Sequence, residues 1–318
     1  MTPASVSIVI PTHNRAELLA RALDSLAQVE VPPGLGVEVV VVANACVDDT
    51  GRVVAAKAGA LGFPARCVEE GRANANVARN RGIREARGGI LALVDDDVQV
   101  ERGWLRGLLE VYEGYPADLV GGRVELLWEA VERPAWFAPR HEKLLARKDH
   151  GAAVVELHRR GDVVGANMSF RREVFDALGG FRPGLDRSGS NLLGGGDIEF
   201  TQRALQRGFR VFYAPRAIVW HWVSPDRITG RYLAATAYGQ GEARVYIDPK
   251  PSAWRAVRAA ASGAVLFSNN VFAGWWHALR RDRRGVMDAR VRRSFGRGKV
   301  AASLRYLARR PSVPGQEP

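Results

Sequence analysis

The sequence predicts an α/β fold, with a mostly parallel central sheet covered by helices on both faces and a helical C-terminal appendage. Three observations predict it. Short β-branched runs alternate with segments of helical period over the first hundred residues, polar clusters recur just after those runs, and from Pro225 the composition turns helical and rich in Ala and Arg.

The first strand is read in Ser5–Ile10 (SVSIVI), stopped by Pro11. Leu18, Leu19, Ala22, Leu23 and Leu26 then recur at helical spacing. Val37–Val42 is a nearly continuous apolar strand, ANACVDDT a turn, and Gly51–Ala60 a helix. A third strand falls near Ala65–Glu69, a helix over Ala75–Ala86, and a fourth strand at Ile90–Val94 that ends on Asp95. Strands apolar on both faces are the mark of a parallel sheet sandwiched between helices. The middle of the chain is more mixed. GGRVELLW and AAVVELH read as extended segments, separated by a Pro- and Trp-rich loop. A glycine-rich stretch over 182–196, a helix starting at Asp197 and a last strand in RVFYAP and AIVWHW follow. A first domain is expected over 1–224, with halves 1–120 and 121–224, then a basic helical region over 225–310 and a polar Pro/Gly tail over 311–318.

Lys and Arg (46) exceed Asp and Glu (34), a net charge of +12 that favours phosphate-bearing partners: nucleotides, anionic lipid or nucleic acid. Cys46 and Cys67 are too few for a disulfide framework and read as small buried thiols. The N-terminal residues carry no basic region followed by a long apolar stretch, so a cytoplasmic location is expected.

In open α/β sheets ligands bind beyond the carboxyl ends of the strands. Thr12 and His13, Asn44, and Asp95–Asp97 all fall there. Three adjacent aspartates repel one another unless a hard cation such as Mg2+ or Mn2+ binds them with a diphosphate; an acidic turn or helix cap is the competing reading. Position after ILALV tilts the triplet towards a ligand site. Asp197, in GGGDIE, reads either as a general base at a glycine-rich loop or as the cap of the following helix. His221, between Trp220 and Trp222, reads either as a metal ligand or as a packed histidine.

Taken in order, SIVIPTHNRAELLARALDSL, VVVANACVDDT, VARNRGIREARGGILALVDDDV, GANMSFRREVFDALGGF, GGGDIEFTQRALQRGF and YAPRAIVWHW resemble the motifs of inverting family 2 glycosyltransferases with a GT-A fold, a Rossmann-like architecture. The resemblance spans about residues 5–224. It implies that Pro11, Thr12 and Asn14 pack on the nucleotide, that Asn44 and Asp48 cradle base and ribose, and that Arg79 and Asn80 lie beside the donor. It further implies Asp97 as direct metal ligand, Asp95 on ribose or metal, Asp96 within the donor site, Asn167 beside the donor sugar, and His221 near metal or diphosphate. Asp197 matches the catalytic base. Two positions depart from the pattern. Ala43 stands where the family carries Asp or Asn, which leaves base recognition open, and Gly196 stands where it carries Glu.

The resemblance implies an Mg2+- or Mn2+-dependent transfer of sugar from a UDP-, GDP- or dTDP-linked donor to a glycan or lipid-linked acceptor, in polysaccharide or glycolipid assembly. Residues 259–279 carry no Lys, Arg, Asp or Glu, yet Ser262, Ser268, Asn269, Asn270 and His277 make them too polar for a bilayer span. With RRDRR directly after, they suit either a helix on the inner face of the plasma membrane or one packed on the catalytic domain. A retaining enzyme or a nucleotidyltransferase would share the fold, but PTHNRAEL lacks the glycine-rich phosphate loop of the latter. Nucleic-acid binding rests on charge alone and is not expected.

Overall fold

A computed structural model describes residues 5–158, 162–185, 193–248 and 251–309. The polar tail expected at 311–318 and much of the glycine-rich stretch, residues 186–192, lie outside the described residues. The chain divides into two compact units. The first takes the residues up to Leu127, Ala146–Arg182 and Gly196–Trp222; the second takes Trp128–Leu145, the segment from Pro183 to Gly195, and the chain from Val223 onward.

The first unit is built on one sheet. Its opening half alternates as expected: β1 (Ser5–Thr12), α1 (Ala16–Leu26), β2 (Gly36–Asn44), α2 (Thr50–Ala58), β3 (Ala65–Glu70), α3 (Ala75–Glu85) and β4 (Ile90–Val94). Then come β5 (Val98–Val100), α4 (Trp104–Gly114), β6 (Leu119–Leu127), β7 (Val155–Leu157), β8 (Asn167–Arg171), α5 (Arg172–Leu178), α6 (Gly196–Gln206) and β9 (Val211–Trp222). The strand order is β3-β2-β1-β4-β8-β6-β9-β5, with β7 also on β9. β3, β2, β1 and β4 run parallel, β8 is antiparallel between β4 and β6, and β6 and β9 run parallel again.

Strand periodicity splits the core into two layers. Ile8, Ile10, Val39 and Val41 pack with Leu19 and Leu23 of α1, Val54 of α2 and Leu108 of α4. Val9, Val40 and Val42 face the other way, onto Ile83 of α3, Phe175 of α5 and Phe200 of α6. Each fully buried Leu of α1 is worth about 1.5–3 kcal/mol, so this seam holds the helix, whose N-cap residue Arg15 gives no side-chain cap.

β1 runs through Pro11 rather than stopping there. The ladder to β4 ends at Val9↔Leu93, whereas that to β2 continues to Thr12↔Ala43. Pro11 therefore occupies the equivalent of an edge position, where the missing N–H is tolerated. β9 likewise passes through Pro215, with a bulge opposite Gly122 and Arg123.

The second unit is helical: α7 (Gly230–Tyr246), α8 (Ala253–Leu279) and α9 (Arg283–Arg309). Small residues bring the backbones together. A Cβ on Gly241 would overlap the Phe295 carbonyl oxygen, and one on Gly298 would overlap that of Tyr238. The segment 128–145, expected within the domain over 1–224, belongs to this unit. His141 Nδ1 accepts from the Ala138 N–H at 3.1 Å, leaving Nε2–H to donate to Asp288 at 2.7 Å. Burial, with Arg140 and Lys143 alongside, holds the imidazole below its usual range and so favours that neutral tautomer.

Candidate active site

The parallel ladders place the ends of β1, β2 and β4 on one edge of the sheet, so Thr12, Asn44 and Asp95 lie there together. Asp95–Asp97 connect β4 to β5, and β5 pairs with β9 at Val98↔His221. That pairing is what carries the histidine to the triplet, across more than a hundred residues of chain.

Asp97 and His221 are buried, each 5% exposed, with Asp97 Oδ1 and His221 Nε2 3.2 Å apart. Half-buried Asp95 joins them: one ligand atom from each of Asp95, Asp97 and His221 lies within 4.8 Å of the other two. Two carboxylate oxygens with an imidazole nitrogen suit Mn2+ or Mg2+. The residues present therefore fit a divalent cation.

Asp96 points elsewhere. The Thr12 hydroxyl donates to its Oδ2 at 2.8 Å and Arg15 Nη1 to its Oδ1 at 3.0 Å, the same guanidinium reaching Asp97 Oδ2 at 3.2 Å. Burial pushes the Asp96 carboxyl up to about 6; the neighbouring Asp97 charge adds to the rise, and Arg15 and Thr12 oppose it. Asp96 thus anchors the triplet to the first loop.

Arg79 links the acid cluster to Asp197. Its Nη2 donates to Asp95 Oδ1 at 3.0 Å and its Nη1 to Asn76 Oδ1 at 3.1 Å. A Cβ on Gly165 would lie 3.0 Å from Arg79 Nη2, so the guanidinium lies flat against that glycine. The Gly165 N–H in turn donates to Asp197 Oδ2 at 3.0 Å, and the Ile198 N–H to Oδ1 at 2.8 Å. Asp197 is half-buried in the first turn of α6, its carboxylate oriented by two backbone donors. At Gly196 a Cβ would overlap the Asn76 amide, which is fully buried and donates to the Arg182 carbonyl at 2.9 Å. Asn76 fills the space that a larger residue at 196 would need.

The other residues that the sequence points to are spent on backbone. Asn44 Nδ2 donates to the carbonyls of Arg72 and Asn74, and its Oδ1 accepts from the Asn74 N–H, fixing the loop before α3. Asn14, at φ 52°, accepts from the Val47 N–H at 2.8 Å. Asp48 accepts from the Ala16 N–H at 2.9 Å and the Thr50 hydroxyl at 2.6 Å, joining the first turns of α1 and α2. Pro11 and Ala43 are buried strand residues. Cys46 and Cys67 are free and half-buried.

Asn167 is 2% exposed; it accepts from the Trp104 indole at 3.0 Å and donates to the Arg123 and Ala217 carbonyls at the β6–β9 bulge. Asn80 is clamped to both backbone groups of one residue, donating to the Phe181 carbonyl and accepting from the Phe181 N–H, each at 2.8 Å. Asn80→Ala is therefore expected to leave two buried backbone groups unsatisfied and to lower stability by about 2–4 kcal/mol. Urea unfolding measures the loss, and a donor affinity unchanged in the folded variant separates this role from direct donor contact.

The sequence alone does not single out Arg15, Asn76, Gly165 or Trp104. Only Asn76 left a local signal, three residues before Arg79 on α3 and hence on its face.

This sheet, with the acid cluster at its carboxyl edge, is of GT-A type and is followed by a helical C-terminal region. Glycosyltransferase AglE of Haloferax volcanii is 29% identical over 247 residues, 76% of this chain and 74% of that protein. The glucosyl-dolichyl phosphate glucuronosyltransferase of the same organism is 27% identical over 248 residues, 76% and 77% of the two chains. Among solved structures, the mannosyltransferase PcManGT of Pyrobaculum calidifontis, in complex with GDP-Man and Mn2+, aligns with TM-score 0.57 and 20% identity over 99% of this chain and 78% of its own. The chain belongs to glycosyl transferase family 2, whose sequence pattern it matches over residues 7–179.

Proposed function

We propose that the chain transfers a sugar from a nucleoside-diphosphate donor to an acceptor hydroxyl in one displacement, with inversion at the anomeric carbon. The observation that carries this reading is the convergence of Asp95, Asp97 and His221, tied through Arg79 and Gly165 to Asp197. Asp95, Asp97 and His221 would hold Mg2+ or Mn2+, which when bound neutralises charge on the departing diphosphate. Asp197 takes the acceptor proton; each of its oxygens keeps a lone pair beside its one backbone donor. The acceptor oxygen then bonds to the anomeric carbon as the carbon–oxygen bond to the diphosphate breaks, the diphosphate leaving with the electron pair. Arg79 holds Asp95 and the Gly165 turn in register.

Turnover of UDP-, GDP- and dTDP-linked sugars, with Mn2+ or with EDTA, tests the reading. The anomeric coupling of the product by NMR separates inversion from retention, and a retained configuration would remove Asp197 as base in a single displacement. Duplex DNA bound in preference to every nucleotide would instead favour the polyanion-binding reading. The relatives from Haloferax volcanii include a protein named for a dolichyl phosphate substrate, which supports a glycan or lipid-linked acceptor for this chain.

Peripheral membrane contact through α8 belongs to the same proposal. No helix among the described residues is long and apolar enough to cross a membrane. α8 nonetheless exposes Trp254, Val257, Val265, Phe272, Trp275 and Leu279 along one face, while Ala256, Gly263 and Asn270 are buried on the other. Arg280, stacked over Trp276 at 4.2 Å, and exposed Arg281, Arg283 and Arg284 follow its C-terminal end. Aromatic rings beside arginines match the boundary between headgroups and acyl chains of an anionic bilayer. Phe272→Ser with Trp275→Ser is expected to weaken sedimentation with phosphatidylglycerol vesicles about tenfold at low salt. Equal sedimentation of wild type and variant would exclude this face.

A further inference from the structure

The second unit carries a groove that the transferase chemistry does not use. It lies between α7 and α9 and encloses about 470 Å³. Its floor is made of small residues, Ala234, Ala235 and Gly239 of α7. Its walls are basic: Arg231 from α7, and Arg290, Arg293 and Arg297 from α9 at spacings of three and four residues, hence on one helix face.

Four guanidinium groups around one small space repel one another, and arginines on a helix are ordinarily neutralised by nearby carboxylates or spread over its surface. Neither holds here. Among the described residues no carboxylate lies within ion-pair distance of Arg231, Arg290, Arg293 or Arg297. The groove has one acid, Glu242, and Arg305 already pairs with it. The walls are also fixed in place. The overlaps that any Cβ on Gly241 or Gly298 would create show α7 and α9 meeting backbone to backbone beside the groove, so the arginines project from a rigid seam. A Cβ on Gly230 would lie 3.1 Å from Arg290 Nη1, which sets that guanidinium against the first residue of α7. The helix N-terminus adds its own positive potential at that end.

We propose that this groove is a phosphate-binding site. Arg231, Arg290, Arg293 and Arg297 would take the oxygens of a phosphate monoester or diphosphate, and the hydroxyls of Ser294 and Tyr238, which also line the groove, would supply neutral donors. Forked guanidinium donors suit tetrahedral oxyanions, and the floor of Ala and Gly leaves room for the group itself. The same chemistry is met by a phosphate free in solution and by the headgroup of a phosphorylated lipid.

Calorimetry with inorganic pyrophosphate in EDTA tests the first source, since chelation removes metal-assisted binding at the acid cluster. Sedimentation with phosphatidylcholine vesicles, with and without phosphatidic acid, tests the second. Arg293→Gln with Arg297→Gln is expected to weaken whichever arm is positive about tenfold or more, while Arg293→Lys with Arg297→Lys retains an intermediate affinity because charge persists without the fork. Loss in the pyrophosphate arm identifies a soluble ligand, and loss confined to phosphatidic acid a lipid headgroup. The proposal is overturned if wild type binds in neither arm, or if the Gln variant matches wild type in both. The wild-type arms stand alone should the Gln variant not fold. The Phe272→Ser and Trp275→Ser variant, altered on α8, is expected to keep pyrophosphate binding.

Discussion

Asp197→Asn is expected to reduce sugar transfer by about a thousandfold or more while leaving donor binding close to wild type. The substitution is nearly isosteric and preserves the one role that competes with catalysis. Asp197 sits in the first turn of α6, where it accepts from the Ile198 N–H and from the Gly165 N–H. Asparagine serves at helix starts as well as aspartate does, because its side-chain oxygen can still accept from a backbone donor. A residue that merely starts the helix would therefore tolerate the change, with activity near normal. A base would not, since an amide cannot take the acceptor proton. One backbone N–H, that of Gly165 or of Ile198, would face the amide NH2 in the variant, so a modest fall in melting temperature is expected alongside. Single-turnover transfer and donor titration on the same preparation separate the effects, and retained transfer would leave Asp197 as a structural residue only.

The parts of this protein legible in the sequence are those set by local pattern. β1, β2 and β4 are apolar on both faces, so their runs could be read without partners, and the heptad-like leucines of α1 gave its inner face directly. The triplet's place after β4 was legible for the same reason. Harder features depend on pairing between distant segments. His221 reaches Asp97 because β5 and β9 pair antiparallel, and three residues of strand leave little periodicity to read. Arg15 reaches Asp96 and Asp97 across more than eighty residues, and nothing beside it in the sequence sets it apart from other arginines.

Motif position also does not tell which way an amide points. Asn80, Asn167 and Asn44 stand where the family pattern places site residues, yet each is engaged by backbone on more than one side. Their position in the motif is compatible with shaping the site through the loops they hold. The boundary between the units shows a related blind spot. A change of composition near Pro225 marks where the helices begin, but it cannot show that Trp128–Leu145 is held to them through Asp288.

Asp97→Ala is expected to abolish the dependence of donor binding on the divalent ion, and electrostatics fix the direction of a second, less obvious effect. In wild type, Asp97 is contacted by His221 at 3.2 Å and Arg15 at 3.2 Å, so the carboxylate offsets positive charge that would otherwise face the diphosphate. Removing it deletes one of three candidate ligands and leaves those two nitrogen groups without it. With Mn2+ present, affinity for the nucleoside diphosphate should fall about a hundredfold, through loss of an ion that would neutralise the diphosphate charge. In EDTA the variant should bind at least as tightly as wild type, because a like-charged neighbour of the ligand is gone and Arg15, still paired with Asp96, loses one of its two carboxylates. Calorimetry of the nucleoside diphosphate under both conditions reads both signs. General damage to the site would weaken binding in EDTA as well, whereas loss of the metal ligand alone predicts the crossover. Asp96→Asn gives the contrast: its partners are Thr12 and Arg15 rather than the histidine, so the response to Mn2+ should persist. A wild-type response to Mn2+ in the Asp97→Ala variant would move the ion away from Asp97 altogether.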